Sequence, residues 1–202
     1  MSIVKKVNAV ELLFGNLDAE IRAFQSSSTL RCIPGCGRCC THNQVDASPL
    51  EFLPWAYHLY INGEAQAMYD ELMADTGSIC HVYSPLGLLE AGKGSCGDYL
   101  YRGLICRLFG FGANTDKYGK LRLATCSLIK ENQALAFHHA ERMLAEGMPV
   151  PVFTEYYMRL SQIDFLSGGT IVPINTALKM AIEEVLQYYS YRSLEDEITE
   201  VA

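Results

Sequence analysis

Hydrophobic residues recur at helical spacing near the start of the chain. Within residues 8–26 they follow one another at intervals of three or four positions, at Val10, Leu13, Leu17, Ile21 and Phe24. Residues at this spacing share one face of an α-helix. The serines at 26–28, and the loop of proline and glycine that follows, are typical of a helix end. The pattern therefore predicts an amphipathic helix over residues 8–26.

A second helix has a clear beginning at the sequence SPLE. Ser48 stands at the N-cap position, Pro49 in the first turn, and Glu51 where a capping box places its acidic residue. The residues beyond predict a helix that continues to Gly63. We expect it to bend near Pro54, because proline cannot donate a helical hydrogen bond.

Further helical segments follow the same periodicity. We predict them at residues 64–75, about 128–146, 152–165 and 174–190. The acidic tail at 193–202 is predicted to fray, as chain ends commonly do.

Residues 77–126 have a different pattern, with many glycines and turn residues and only short apolar repeats. Within them, LFGFGA and KLRLATC flank the turn sequence NTDKYG, which predicts a small β-hairpin. The chain as a whole is therefore predicted to be mainly α, with helices around a loop-rich cysteine region that contains this hairpin.

Charge and hydropathy exclude two classes of partner. The net charge of −7 argues against nucleic acid, whose phosphates are bound mainly by lysine and arginine. No stretch approaches the roughly 18 uncharged apolar residues of a membrane helix. The N-terminal sequence lacks the uninterrupted apolar core of a signal peptide. We therefore expect a cytoplasmic protein that binds neither nucleic acid nor membrane; the sequence identifies no protein partner.

The cysteines are the most distinctive chemical feature. The sequence RCIPGCGRCC places four of them within nine positions, and the others fall inside the irregular region. All eight thus lie between residues 32 and 126, at Cys32, Cys36, Cys39, Cys40, Cys80, Cys96, Cys106 and Cys126. This confinement indicates one shared site or two adjacent ones.

Three chemistries compete for these thiols: disulfides, a redox-active pair, or metal binding. Eight cysteines in 202 residues fall below the density of a disulfide-stapled scaffold. Cys36 and Cys39 have the spacing of a redox pair but not its usual position at the start of a helix beside a βαβ unit. Thiolates are preferred ligands of zinc and of iron–sulfur clusters, and Gly35 and Gly37 permit the turns that such a loop requires. Metal binding is the favoured interpretation.

The adjacent residues Cys39 and Cys40 bear on the kind of metal. Neighbouring side chains usually diverge, so both are not expected to bind one tetrahedral zinc. A multinuclear cluster can use both, one of them can serve a second centre, or one can be an unligated core thiol. We favour an iron–sulfur cluster of the 4Fe–4S type, with zinc as the alternative, because eight cysteines exceed what one zinc uses.

Three quoted stretches resemble a known family. CIPGCGRCC, then SPLE, then CGDYLYRGLICRLFG are similar to the bacterial and archaeal cysteine-cluster proteins described as a zinc- or iron-chelating domain, the CxxCxxCC proteins. The family pattern is matched at Cys96, Tyr101, Arg102, Cys106, Arg107 and Phe109. Gly103 stands where the family usually has proline, and the sequence around Cys80 departs from the usual one. The resemblance implies metal binding by these cysteines.

What the protein does with a metal is open at this point. A structural or redox role is the leading expectation. Flagellin lysine methylases carry a similar loop, so a cluster-dependent enzyme, methyl-transferring or oxidoreductive, is an alternative by analogy. A zinc-stabilised interaction module is a third possibility.

Arg107 directly follows Cys106 and is the candidate cofactor-binding residue outside the cysteines. A guanidinium beside a thiolate cluster can offset its negative charge and donate hydrogen bonds to sulfur. The alternative is an arginine that pairs with a carboxylate. Tyr101 and Arg102 are expected to be packing and surface residues.

These predictions divide the chain into three parts that form one compact unit. An N-terminal helix occupies residues 1–28, a cysteine-cluster metal-binding domain residues 29–127, and a C-terminal helical extension that packs on it residues 128–202.

Overall fold

The structure, a computed structural model, describes residues 1–86 and 93–194. Most of the acidic tail predicted to fray, residues 195–202, lies outside the described residues. Within them the chain is mainly helical, as predicted. The α-helices are α1 (Ile3–Ser28), α2 (Leu53–Ile61), α3 (Ala65–Ala74), α4 (Leu104–Leu108), α5 (Ser127–Asn132), α6 (Ala134–Ala145), α7 (Phe153–Ile163), α8 (Phe165–Gly169) and α9 (Ile174–Tyr189).

Helix α1 confirms the predicted periodicity and extends it at both ends. The predicted apolar face is buried, from Val10 to Phe24. The helix begins earlier than predicted because the Ser2 side chain caps it, accepting a hydrogen bond from the Lys5 N–H. It ends at Ser28, and the C-cap residue Thr29 is left-handed, with a φ of 60°.

The SPLE sequence forms the predicted capping box. The Ser48 hydroxyl accepts from the Leu50 N–H at 3.2 Å, and the Ser48 N–H donates to Glu51 Oε1 at 2.6 Å. The helix is less continuous than predicted. Its first turn, Pro49–Phe52, is a 3-10 helix, and α2 starts at Leu53, so that Pro54 lies in a first turn where its missing N–H costs nothing.

The predicted helix at 128–146 is interrupted at Gln133. This residue leaves the helical conformation, with φ −130° and ψ 41°, and separates α5 from α6. Its side chain instead bonds the backbone of Arg31: Nε2 donates to the Arg31 carbonyl at 2.7 Å, and Oε1 accepts from the Arg31 N–H at 3.0 Å. A contact between residues 102 positions apart thus overrides the local periodicity.

The strands are short and pair antiparallel. They are β1 (Asp46–Ala47) with β6 (Val172–Pro173), β2 (Tyr83–Pro85) with β3 (Gly94–Cys96), and β4 (Ala113–Thr115) with β5 (Leu121–Leu123). The pair β4–β5 is the predicted hairpin, with Ala113 opposite Leu123. The other two pairs were not predicted from the sequence.

Two hydrophobic clusters hold these elements together. The main cluster contains buried side chains of α1, α2 and α9, with Trp55 and Leu17 among the most buried. It draws residues from all three predicted parts of the chain. The second cluster lies between the end of α1, the β4–β5 hairpin and helices α5 and α6, and includes Phe24, Ile129 and Phe137. In the described part of the chain, no helix combines the length and apolar character needed to cross a membrane.

A partly buried ion cluster ties α1 to the C-terminal helices. Lys6 Nζ lies 2.6 Å from Asp164 Oδ2 and 2.7 Å from Glu184 Oε1. Asp164 also caps α8, accepting from the Leu166 and Ser167 N–H groups. Burial alone would raise the pKa of Asp164, but the bonds from Lys6 and Ser167 outweigh it and lower that pKa to about 2.

Asp164→Asn should therefore lower the free energy of unfolding at pH 7 by on the order of 1–2 kcal/mol, while its side-chain oxygen still caps α8. The native pKa lies below the unfolded value. The stabilisation is thus complete above about pH 4 and is lost as the pH falls toward 2. Urea unfolding should show that the difference in unfolding free energy between variant and wild type is smaller at pH 2.5 than at pH 7. Lys6→Met should show the same pH dependence. An equal difference at both pH values would contradict this electrostatic role.

Candidate metal centre

All eight cysteines lie within the described residues, and all are free thiols. They come from five separate segments: the loop that carries Cys32, Cys36, Cys39 and Cys40, and one segment each for Cys80, Cys96, Cys106 and Cys126. Cys32 and Cys39 are exposed, while the other six are half-buried.

Tight turns shape the cysteine loop. The Cys36 N–H donates to the Ile33 carbonyl at 3.3 Å, and the Cys40 N–H donates to the Gly37 carbonyl at 2.9 Å. Gly37 has a φ of +57°, and a Cβ atom there would lie 2.8 Å from the backbone carbonyl of Gly94. Only glycine permits both this conformation and this close approach of the loop to β3.

Backbone bonds bring Cys80 and Cys96 to the same loop. The Cys80 N–H donates to the Cys40 carbonyl at 3.0 Å, and the Tyr83 N–H donates to the Cys80 carbonyl at 3.0 Å. Tyr83 then pairs with Cys96 across the β2–β3 ladder. Three cysteines that are far apart in sequence are therefore tied together through main-chain contacts.

Glu51 positions the helix that carries Cys106. Its fully buried carboxylate accepts from the Ile105 N–H in the first turn of α4 at 2.7 Å, from the Ser48 N–H, and from the Tyr157 hydroxyl at 3.2 Å. Burial raises the pKa of Glu51 to about 7, although these three donors oppose the shift. The capping-box residue predicted from the sequence thus also anchors the start of α4.

Gly103 lies close to two side chains of the segment that leads into α2. A Cβ atom at this position would lie 2.7 Å from Glu51 Oε2 and 2.8 Å from the Phe52 ring. A side chain at position 103 would therefore require the Glu51 carboxylate and the Phe52 ring to move.

Cys126 begins α5. Its sulfur accepts a hydrogen bond from the Ile129 N–H at 3.4 Å, as an N-cap residue does, and the side chain packs against the second cluster. The Gln133 side chain at the other end of α5 bonds Arg31, which precedes Cys32. The start of the cysteine loop is therefore fastened to the helix that Cys126 caps.

The thiols lie close enough to repel one another when ionised. Burial raises the pKa of Cys39 and of Cys80 to about 12 and that of Cys40 to about 11, and neighbouring thiolates add to each shift. Burial, followed by Glu51 and then other sulfurs, also raises the pKa of Cys106 well above its ordinary value. Without a cation, these thiols are held in the neutral, protonated form.

Within the described ranges, no three or more His, Cys, Asp or Glu side chains converge closely enough to hold a metal ion. The sulfurs are thus neighbours without being at ligand distance. Their chemistry fits zinc or an iron–sulfur cluster, since every candidate ligand is a thiol and the segments that carry them are loops and short elements. Whether these cysteines are ligands stays a prediction.

Arg107 is only 8% exposed, and each of its three guanidinium nitrogens donates a hydrogen bond. Its Nη1 lies 2.6 Å from Asp18 Oδ2, and its other two nitrogens donate to the carbonyls of Leu100 and Arg102. The guanidinium also lies over the Phe14 ring at 4.5 Å. The bonds described for Arg107 thus join it to a carboxylate and two carbonyls rather than to sulfur. Its predicted role toward a cluster stays a prediction.

Arg102, predicted from the sequence to be a packing or surface residue, is the charged residue near the sulfurs. Its buried Nε has no hydrogen-bond partner, and its guanidinium lies 4.0 Å above the Tyr99 ring. Burial raises the pKa of Cys32 and of Cys96, and the positive charge of Arg102 acts against that rise at both. Its place in the same motif as Cys96 and Cys106 was the available signal, but Arg107 lies in that motif too.

Comparisons of the chain with protein-family models, with curated proteins and with solved structures found no match. The resemblance to the zinc- or iron-chelating cysteine-cluster proteins therefore stays a prediction carried by the quoted motifs.

The role of Arg102 predicts how fast Cys32 reacts in the metal-free protein. Arg102→Leu removes a positive charge, so the pKa of Cys32 rises and its thiolate fraction at pH 8 falls. Alkylation of Cys32 by iodoacetamide should slow by up to about twofold, because the thiolate is the reacting form. Mass spectrometry of the Cys32 peptide measures the rate. Arg102→Lys keeps the charge and should restore it; equal rates in all three proteins would exclude the effect.

Proposed function

We propose that this protein binds metal through its cysteines as a cytoplasmic iron–sulfur protein with a structural or redox role. One observation carries the proposal: five separate segments supply eight free thiols, and at five of these the charges of neighbouring sulfurs add to a rise in pKa, namely Cys32, Cys39, Cys40, Cys80 and Cys106. The helices already have a hydrophobic core, and apolar side chains would pack these segments better than thiols do. Packing therefore does not explain the crowding.

Metal binding accounts for the crowding better than thiol catalysis does. A reactive cysteine requires a lowered pKa, produced by a nearby cation, histidine or helix N-terminus. Here burial and mutual repulsion raise the pKa of Cys39, Cys40, Cys80 and Cys106. A bound cation removes the protons and reverses the repulsion, so the same arrangement that disfavours free thiolates favours metal thiolates.

An iron–sulfur cluster is the proposed form, and zinc is the alternative. Both accept four thiolates, and a cluster of the 4Fe–4S type uses a cysteine-rich loop together with distal cysteines. Such a cluster supplies electron transfer or structural cross-linking, while the chain's own residues hold it and exclude water. A cytoplasmic location is proposed because thiols stay reduced there.

An enzymatic role requires a hollow with polar groups beside the cysteines. One shallow hollow of about 540 Å³ is lined by α6 residues such as His138 and Glu141. Another, of about 310 Å³, is lined by Asp18, Leu100 and Arg107 among others. Neither is lined by a cysteine, so the structural or redox role is proposed ahead of the enzymatic alternatives.

Protein purified without oxygen should be brown and should contain iron and acid-labile sulfide. Cys106→Ser should lower the iron content at least twofold, because Cys106 packs against the main cluster and has Cys80, Cys40 and Cys96 as its sulfur neighbours. Metal analysis and absorption spectra measure both. Colourless protein with stoichiometric zinc and no sulfide would overturn the iron–sulfur assignment, and metal-free protein from every preparation would overturn metal binding itself.

A further inference from the structure

Charged residues are distributed unevenly along the chain. Residues 29–45 and 99–130 together contain eight of the 16 lysines and arginines but only one of the 23 aspartates and glutamates, Asp116. The remainder of the chain has eight cations and 22 acidic residues, a net charge of −14. Two basic segments therefore stand out within an acidic protein.

Both basic segments are supported by the second hydrophobic cluster. Leu30, in the first segment, is buried in this cluster together with Ala113 and Leu123 of the β4–β5 hairpin. The Gln133 side chain adds a direct link, because it bonds the backbone of Arg31. The beginning of the cysteine loop and the hairpin are thus packed on one support.

The hairpin presents several cations to solvent. Lys117 and Lys120 are exposed in its turn, and Arg122 is exposed in β5. Asp116 pairs with Arg122, with 3.1 Å between Oδ2 and Nε, and its other oxygen accepts from the backbone N–H groups of Tyr118 and Lys120. The hairpin end therefore carries three exposed cations around one carboxylate.

A shallow hollow of about 540 Å³ extends this basic surface onto α6. Arg122 lines it from the hairpin, and Leu135, His138 and Arg142 line it from the helix. Its one acidic lining residue, Glu141, lies 3.5 Å from the His138 ring nitrogen Nδ1. The side chains around the hollow place Arg122 and Arg142 on the same surface of the molecule.

We call this surface the hairpin face and define it by six exposed residues: Lys117, Tyr118, Lys120, Arg122, Leu135 and Arg142. Four of them are cations. The other two are large side chains that expose 75% of Tyr118 and 89% of Leu135. Exposed aromatic and apolar groups among arginines are typical of surfaces that bind other proteins.

We propose that the hairpin face docks an acidic surface of a partner protein. Charge complementarity selects this occupant, because the acidic remainder of the chain repels carboxylates and directs them toward the face. Tyr118 and Leu135 then supply apolar contact within the charged surround. The inference stands on charge and exposure, so it does not depend on the metal binding proposed above.

A nucleic acid fits the hairpin face less well than a folded protein does. Asp116 and Glu141 lie among its cations and repel phosphates. A long polyanion would also meet the acidic remainder of the chain. A folded partner can place its carboxylates opposite the cations and apolar groups opposite Tyr118 and Leu135.

Fluorescence anisotropy of a labelled peptide of about eight glutamates tests the inference on the full chain at low salt. Lys117→Gln with Lys120→Gln should weaken binding at least about threefold, because two cations of the face are lost. Lys5→Gln with Arg192→Gln is the matched control, since it removes the same charge from exposed residues of α1 and of the segment after α9. This control should bind as the wild type does, and circular dichroism should show native helix content in both variants.

Equal weakening in the two double variants would overturn the hairpin face, because net charge alone would then explain binding. Tighter binding of a labelled DNA strand with about eight phosphates would overturn the protein partner in favour of nucleic acid. Light scattering of the wild type alone should give the mass of one chain at low salt. A larger mass that Lys117→Gln with Lys120→Gln abolishes would assign the face to a second copy of the chain instead. None of these measurements depends on metal content, so their failure is distinct from failure of the proposed function.

Discussion

The burial and crowding of thiols from five separate segments is the feature that the rest of the structure accommodates. Cys39, Cys40, Cys80 and Cys106 all have a pKa raised by burial and then by the charges of neighbouring sulfurs. A protein can tolerate such a group in two ways: the thiols stay protonated, or a cation takes the place of the protons. The cysteine segments also take part in the core, because Leu104 and Leu108 of α4, the helix that carries Cys106, are fully buried in the main cluster.

The same helices nevertheless fix where the sulfurs lie. Glu51 links the capping box at the start of Pro49–Phe52 to the first turn of α4, and so couples the main cluster to the helix of Cys106. Gln133 interrupts a helix to hold Arg31, and so couples the second cluster to the start of the cysteine loop. Each hydrophobic cluster thus contributes one polar side chain that positions one side of the cysteine network.

Local features of the fold were predictable from the sequence, and contacts between distant residues were not. Helix α1 followed from its apolar spacing, the capping box from Ser48 and Glu51, and the β4–β5 hairpin from its turn residues. The β2–β3 pair was missed because three-residue strands show no alternation. Gln133 was missed because its partner Arg31 lies 102 positions away.

The candidate site shows the same limit. The confinement of the cysteines was visible in the sequence. Which of their segments are joined by main-chain contacts was not. Likewise, Arg107 and Arg102 are both close to cysteines in sequence. Arg107 binds Asp18, which lies 89 residues away in sequence. Arg102 lies near the thiols, and its buried Nε has no hydrogen-bond partner. No pattern of residues near Cys106 distinguishes these two outcomes.

X-ray absorption spectroscopy at the metal edge of the anaerobically purified protein tests the central claim most directly, because it identifies the atoms bonded to the metal without any substitution. The account predicts a first coordination shell of about four sulfurs per metal atom at roughly 2.3 Å, with no nitrogen or oxygen ligand. A shell dominated by nitrogen or oxygen would contradict it, since the thiols would then be neighbours of the metal rather than its ligands.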